Sequence, residues 1–414
     1  MRLPREAYPF RDALATYFPH LRPAQHRGLA LWVLGALLAG SACEAAVRLA
    51  LLPLVGRRAD HALRQRLREG LAAGADKAAS CRTQLDVTTC FAPLLGWVLH
   101  WWHGDGLALA LDATYQRDRL VVLSISVLYR GTAIPLAWHV TAANRPGAWL
   151  APSLALLDIL APALASDRLS GIDRPSTVLV LADQGLWSPR LWHAIRAHGW
   201  HPLLRIRPDA TFRPDGGQRV SARTLVPGPG HAWVGAGVAY KEAAKRQAAT
   251  LIVAWEVGQA APWLLLTDLA PEAVGPAWYG LRVWVELGFR ALKRLGWQWQ
   301  RTRRTDPDRV ARHWLVLAVA TLWVVATGTR EEEAERRGRA PERLHVAMPP
   351  PAHPAGCRPR RSVSVFARGV VRLRWQLLRG RRLWTDLWLW AEPWPDPPAR
   401  VQVVVVPARQ SLPP

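Results

Sequence analysis

The sequence predicts an α/β protein: a mixed sheet with helices on its faces, interrupted by a β-rich segment. A helical N-terminal region and a basic C-terminal region flank it. Three observations predict this. From about residue 104 onward, short apolar runs of strand length alternate with apolar stretches of helix length. Two of the strand-like runs end on an acid, LALALD at Asp112 and TVLVLAD at Asp183. Residues 279–293 line up four polar side chains on one side of a helix whose other side is apolar.

The chain has 414 residues, room for two or three domains and a sizeable core. Residues 1–100 read as helical. Residues 29–51 are one long apolar stretch with a break expected near Gly40, and residues 61–73 (HALRQRLREGLAA) are amphipathic and basic. Strand-like alternation is scarce here. The region fits either a DNA-end-binding domain or a helical cap on the next domain. No helix-turn-helix spacing is clean enough to name.

Residues 104–207 read as strands and helices. Strands are expected over residues 107–112, 119–129 and 134–140, the last two joined through Gly131 as an antiparallel meander. Residues 149–164 are apolar at helical spacing, and residues 177–183 form a fourth strand. Ser188 is placed to cap the next helix with Pro189 in its first turn, and Gly199 to stop it. Residues 201–207 (HPLLRIR) make a fifth strand. The order β-β-β-α-β-α-β allows the first and fourth strands to lie side by side.

Residues 208–277 interrupt this pattern with strand-like runs at 231–240, 250–257 and 263–269, set off by Gly and Pro as in Pro227-Gly228-Pro229-Gly230. Residues 278–328 return to helix, with a long apolar run at 310–326. Residues 329–414 start with a charged, then Pro- and Arg-rich stretch to about 361, read as a linker or mobile arm. Residues 366–390 are basic, Trp-rich and helical in pattern. A strand-like run at 401–406 has no obvious partner.

Composition narrows the function. Lys and Arg number 54 against 31 Asp and Glu, a formal net charge of +23. A globular chain this basic most often meets a polyanion, nucleic acid first. Nearly all of the excess is Arg, which suits bidentate phosphate contacts and equally reflects a GC-rich coding sequence. The 23 Trp serve a core or stack on bases. Four cysteines, Cys43, Cys81, Cys90 and Cys357, form no C-x2-C pair, as expected in a reducing cytosol. Cys81 and Cys90 lack the second close pair that a zinc site needs. The charged N-terminus does not look like a signal peptide, and residues 29–55 and 314–327 read as buried helices rather than membrane spans. A cytoplasmic protein is expected.

The chemistry concentrates in residues 279–293. At about 100° per residue, Tyr279, Arg282, Glu286 and Lys293 share an arc of about 60°. Leu281, Trp284, Val285 and Leu292 lie opposite. A carboxylate held between two cations and a phenol suits an acid that binds metal beside groups that grip phosphate. Singly, Glu286 would be an ordinary partner of Arg282 or Arg290, and an Asp at a strand end an ordinary turn cap. Together, Asp112, Asp183 and Glu286 can hold two Mg²⁺ or Mn²⁺ ions, which prefer carboxylates. A paired-carboxylate glycosidase is disfavoured by the charge and by the cations beside Glu286.

These residues resemble the DDE transposases of bacterial insertion sequences, in the group marked by Y-x2-R-x3-E-x6-K. Tyr279, Arg282, Glu286 and Lys293 match that motif at full spacing. LDATYQR around Asp112 and LADQGLWSPRLWHAIRAHGWHPLLRIR from Asp183 onward are similar to the two Asp regions, and RRTDPDRVARHWLVLAVATLW to the downstream helix. The similarity spans about residues 105–207 and 278–328. It implies an RNase H-like core with a β-rich insertion between the second Asp and the Glu. It also implies Asp112, Asp183 and Glu286 as catalytic metal ligands for two ions. Tyr279, Arg282 and Lys293 would contact phosphates of the transposon end. Arg205 and Arg207, with Thr114 and Arg117, are weaker DNA-contact candidates. The activity implied is metal-dependent cleavage at element ends and strand transfer, by a homodimer on double-stranded DNA. A catalytically silent DNA-end-binding protein of the same ancestry, or a nuclease without strand transfer, are the alternatives.

Overall fold

The computed structural model describes residues 3, 7–77, 83–143, 149–165, 175–344, 361–397 and 399–407. Cys81, Cys357 and residues 345–360 of the Pro- and Arg-rich stretch lie outside them. Five helices come first: α1 (Tyr8–Tyr17), α2 (Pro23–Ala39), α3 (Glu44–Val55), α4 (Asp60–Leu71) and α5 (Phe91–His100). Then follow β1 (Trp102–His103), β2 (Gly106–Gln116), β3 (Leu120–Tyr129), β4 (Thr132–Ala142), α6 (Leu150–Ala165), β5 (Thr177–Ala182), α7 (Pro189–Ala197) and β6 (His201–Arg205). Next come β7 (Thr211–Pro214), β8 (Val220–Ser221), β9 (His231–Ala239), β10 (Gln247–Trp255) and β11 (Trp263–Thr267). The chain closes with α8 (Val283–Arg290), α9 (Pro307–Arg336), α10 (Val365–Leu378), β12 (Leu389–Trp390) and β13 (Gln402–Val406).

One sheet runs through the molecule in the order β4-β3-β2-β5-β6-β11-β10-β9-β7-β8, with β13 also paired to β9. The meander β2-β3-β4 is antiparallel, whereas β2, β5 and β6 are parallel to one another. Arg130 (φ 43°) and Gly131 (φ 80°) form the two-residue turn between β3 and β4, where both positions need the left-handed region. The strands of residues 208–277 extend this same sheet, because β11 pairs antiparallel with β6. They do not form a separate layer. The strand-like run at the C-terminus also finds a place, pairing in parallel with β9 from Gln402 opposite His231 to Val406 opposite Gly235.

Alternation along β2 divides the two faces of the sheet. Leu107, Leu109 and Leu111 enter the large core formed with α2, α5, α6 and α9, while Ala108 and Ala110 join a smaller core with Tyr279, Leu281, Trp284 and Val285. The alanines leave room for the segment around α8 to lie close to the sheet. At Gly288, an added Cβ would meet the Ala133 Cβ at 2.7 Å. Ten Trp are almost fully buried, Trp97, Trp192, Trp314 and Trp323 among them, so much of the tryptophan content is core.

Gly40 (φ 59°) ends α2, and α3 leaves at a bend of 96°. The N-terminal helices share one hydrophobic core with α9. The helix expected over residues 310–326 extends as α9 to Arg336. It is long and apolar enough to cross a membrane, but 94% of its apolar window is buried within the protein. The helix expected over 366–390 stops at Leu378, beyond which Gly380 (φ 58°) turns the chain.

Helices α9 and α10 touch backbone to backbone at two glycines. A Cβ on Gly328 would sit 1.7 Å from the Val365 carbonyl oxygen, and one on Gly369 1.8 Å from that of Val324. Gly328→Ala gains about 1 kcal/mol of helix propensity. It must also push the packed helices apart, and overpacking costs about 1–3 kcal/mol or more. We expect a net loss of stability, read as a lower denaturant midpoint at unchanged slope. A higher midpoint would refute the contact.

Candidate active site

The period of two that sorts β2 also aims its acid. Asp112 follows Ala108 and Ala110 on the face towards α8, and Asp183 follows Leu179 and Leu181 on that same face. In the parallel β2–β5 pair, Leu111 lies opposite Ala182, so Asp112 and Asp183 are next along neighbouring strands. The strand expected to end at Asp112 runs on to Gln116, with β3 as its partner beyond Leu111. Asp112 therefore sits where β5 ends, not where β2 does.

The third acid arrives on α8. The single helix expected over residues 279–293 is a continuous helical run of three kinds: a 3₁₀ turn at Trp278–Arg282, α8, and a π turn at Ala291–Leu295. Its winding changes at both ends, so one α-helical phase does not describe all four motif residues. Arg282 and Glu286 still share a face.

Arg282 is the centre of the site. Its Nη2 lies 2.8 Å from Asp112 Oδ2 and 3.8 Å from Asp183 Oδ2, and its Nη1 lies 3.6 Å from Glu286 Oε1. Arg205 backs Asp183, Nη1 to Oδ1 at 3.6 Å. Exposure rises from 15% at Asp112 through 35% at Asp183 to 59% at Glu286, so the cluster opens towards Glu286. Burial pushes the Asp112 carboxyl above its usual range, opposed by the Arg282 charge and the Ala113 N–H and reinforced by Asp183 and Glu286. Burial would lower the Arg282 guanidinium, but Asp112, Tyr279, Asp183 and Glu286 outweigh it and raise it.

The other sequence candidates spread out. Tyr279 is 3% exposed, donates its hydroxyl to the Ala182 carbonyl at 3.3 Å, and meets Trp263 edge-on. It steadies the backbone beside Asp183 and presents no surface for DNA here. Burial raises its phenol above the ordinary value. Lys293 stands on the π turn, half-buried, its amine lowered by burial and by Arg294. Thr114 is 4% exposed and faces inward, whereas Arg117 is exposed in the β2–β3 turn. Strand β6 ends at Arg205, so Arg207 lies past it and lines an open hollow of about 400 Å³ with Gln184, Gly185, Pro208 and Asp209.

Sequence reasoning missed an aromatic pair in this neighbourhood. Trp187, four residues after Asp183, packs on Tyr240 at 4.8 Å between ring centroids. Tyr240 takes a left-handed φ of 61°, and its phenol is raised by burial and by Asp209. The signal available was the tryptophan itself, in the loop that follows the second acid.

Among the described residues, no three His, Cys, Asp or Glu side chains form a ready-made ion site. The three acids nevertheless converge on one cation, the Arg282 guanidinium. Their all-oxygen, all-carboxylate chemistry fits a hard divalent ion.

A mixed sheet that brings three carboxylates and an arginine together at one point is an arrangement suited to moving phosphoryl groups. The transposase DDE domain family matches residues 114–323, just over half of the chain. The chain belongs to that family. Asp183, Tyr279, Arg282, Glu286 and Lys293 lie inside the matched span, and Asp112 two residues before it. Comparison with curated proteins gives no match.

Proposed function

We propose that this transposase belongs to the Y-x2-R-x3-E-x6-K group of bacterial insertion sequences and has an RNase H-like core. In this reading it cleaves DNA at element ends and joins the freed 3′-hydroxyl to target DNA. The observation that carries it is the meeting of Asp112, Asp183 and Glu286 around Arg282, in a chain of this family. The three acids would hold two Mg²⁺ or Mn²⁺ ions. Such ions, when bound, supply activation of the attacking oxygen and stabilisation of the leaving one.

The chain's own residues supply position and charge. Asp112 and Asp183 are fixed by adjacent strands, and each accepts its next residue's backbone N–H at 2.8 Å. Tyr279 holds the strand end beside Asp183. Once the acids have other cations, Arg282 is free to fork onto a phosphate. Arg205, Arg207 and Lys293 extend the cationic surface along the DNA, and Trp187 offers a stacking plane beside it. A net charge of +23 steers the duplex in and makes binding fall with salt. The N-terminal helices would recognise the element end. The basic residues 366–390 would contribute to a synaptic dimer, with the work done in the cytoplasm where the DNA lies.

A second reading, a DNA-end-binding protein that does not cut, draws on one observation. Arg282 already pairs with all three acids and sits between them. One assay separates the two. End-bearing DNA is incubated with wild type and Glu286→Gln, with Mg²⁺ or with EDTA. Cleavage and strand-transfer products from wild type with Mg²⁺ alone, and a loss of about 100-fold in the variant, are expected. Salt-sensitive binding with no product under any condition would establish the second reading. Cut ends without joined product would indicate a nuclease.

A further inference from the structure

The N-terminal helices and α9 line a half-open cavity of about 450 Å³ that lies away from the acids. Its walls come from α2 and the two residues before it, from α4 and α9, and from Lys77, Thr83 and Leu85. Ligand pockets span about 300–1,000 Å³, so this one is large enough for a small molecule.

Three features mark it as a binding site rather than a packing defect. First, Arg312 reaches into it from α9 at 3% exposure. Its Nε donates to the Leu71 carbonyl at 2.8 Å, but its Nη2 is buried with no partner. A buried guanidinium nitrogen left unpaired is costly, and an anion entering the cavity would satisfy it. Second, Gly28 lines the cavity from the second turn of α2, where it is buried, and a Cβ there would meet nothing within 4 Å. Glycine is a poor helix former, and a larger residue would fit. The space is kept open at some cost to the helix. Third, among the described residues the charged side chains of the lining are Arg22, Arg66, Lys77 and Arg312 against Glu69, over walls that include Leu29 and Trp32.

We propose that this cavity binds an organic phosphate monoester with an apolar body, the chemistry of a nucleotide. The phosphate would pair with Arg312 and the neighbouring cations, whose number suits a dianion better than a single carboxylate. The base would lie against the apolar wall that includes Trp32. Free nucleotide and the 5′-phosphorylated end of a DNA strand present the same chemistry. The site does not depend on the acids or on strand transfer.

The test is calorimetric titration of the full chain with dAMP. Wild type should bind one equivalent, and deoxyadenosine, which lacks the phosphate, should bind at least tenfold more weakly. Gly28→Leu fills the cavity without a clash at Cβ and favours the helix, so it should fold and lose dAMP binding at least tenfold. Arg312→Met should do the same. A 5′-phosphorylated tetranucleotide that competes with dAMP would assign the site to a strand end, and failure to compete would assign it to the free nucleotide. The proposal is overturned if dAMP does not bind, if Gly28→Leu binds it as wild type does, or if decanoate binds more tightly than dAMP.

Discussion

Asp112→Asn is expected to lower DNA cleavage by about 1,000-fold while leaving DNA binding intact, because it removes one charge at the most buried corner of the acid cluster. The substitution keeps the shape and a side-chain oxygen that can accept the Ala113 N–H at 2.8 Å. It therefore tests charge rather than fold. Asp112 makes the shortest of the Arg282 contacts, 2.8 Å against 3.6 Å for Glu286, and is 15% exposed against 59%. Interactions strengthen as water is excluded, so the same chemical change should cost more at Asp112 than at Glu286. Binding should hold or tighten at low salt, since a carboxylate leaves a surface that meets phosphates. Quench-timed cleavage of end-bearing DNA and a salt series of binding isotherms measure the two effects separately. Cleavage within a few-fold of wild type would remove Asp112 from the catalytic set.

Much of this cluster was legible in the sequence. LALALD and TVLVLAD each carry an alternating pattern that ends on an acid, and the short links between strands restrict which neighbours are possible. Period two then fixes the face, so Asp112 and Asp183 point the same way once β2 and β5 pair. What was not legible comes from distant partners. No local pattern says that β11 pairs with β6, or that Gln402–Val406 docks beside β9. Periodicity assumes one kind of helix. The change from 3₁₀ to α to π across residues 278–295 therefore hid the burial of Tyr279. Spacing also predicts that Arg282 and Glu286 are neighbours, but not that Arg282 spans all three acids, which needs the sheet and the helix together.

The C-terminal segment is held by buried charge, and Arg130→Met is expected to cost about 3–5 kcal/mol of stability, as breaking such a pair does. Arg130 is 1% exposed on the β3–β4 turn. It pairs with Glu332 at 2.6 Å and Glu333 at 2.9 Å, both on α9, and its Nε donates to the Trp390 carbonyl at 2.7 Å. Arg361 bonds Glu332 at 2.6 Å and also pairs with Glu392, while Arg336 reaches Glu333 at 2.8 Å. Three arginines thus face three glutamates, and the cluster is neutral as a whole. Burial alone would raise the Glu332 carboxyl, but the Arg361 hydrogen bonds and the Arg130 charge hold it below its ordinary value. Methionine fills the volume of the arginine stem but leaves one uncompensated negative charge where water cannot reach it. Glu332→Gln on top of Arg130→Met removes that excess and should recover some of the loss; the difference is the coupling between the two sites. Because Arg130 also grips the Trp390 carbonyl, the single variant should release the end of the chain. Protease cleavage beyond residue 378 should quicken before the core unfolds. Denaturant midpoints for the single and double variants, with a timed digest, measure this. A loss below about 1 kcal/mol would mean the arginine sits in a wetter setting than its 1% exposure describes.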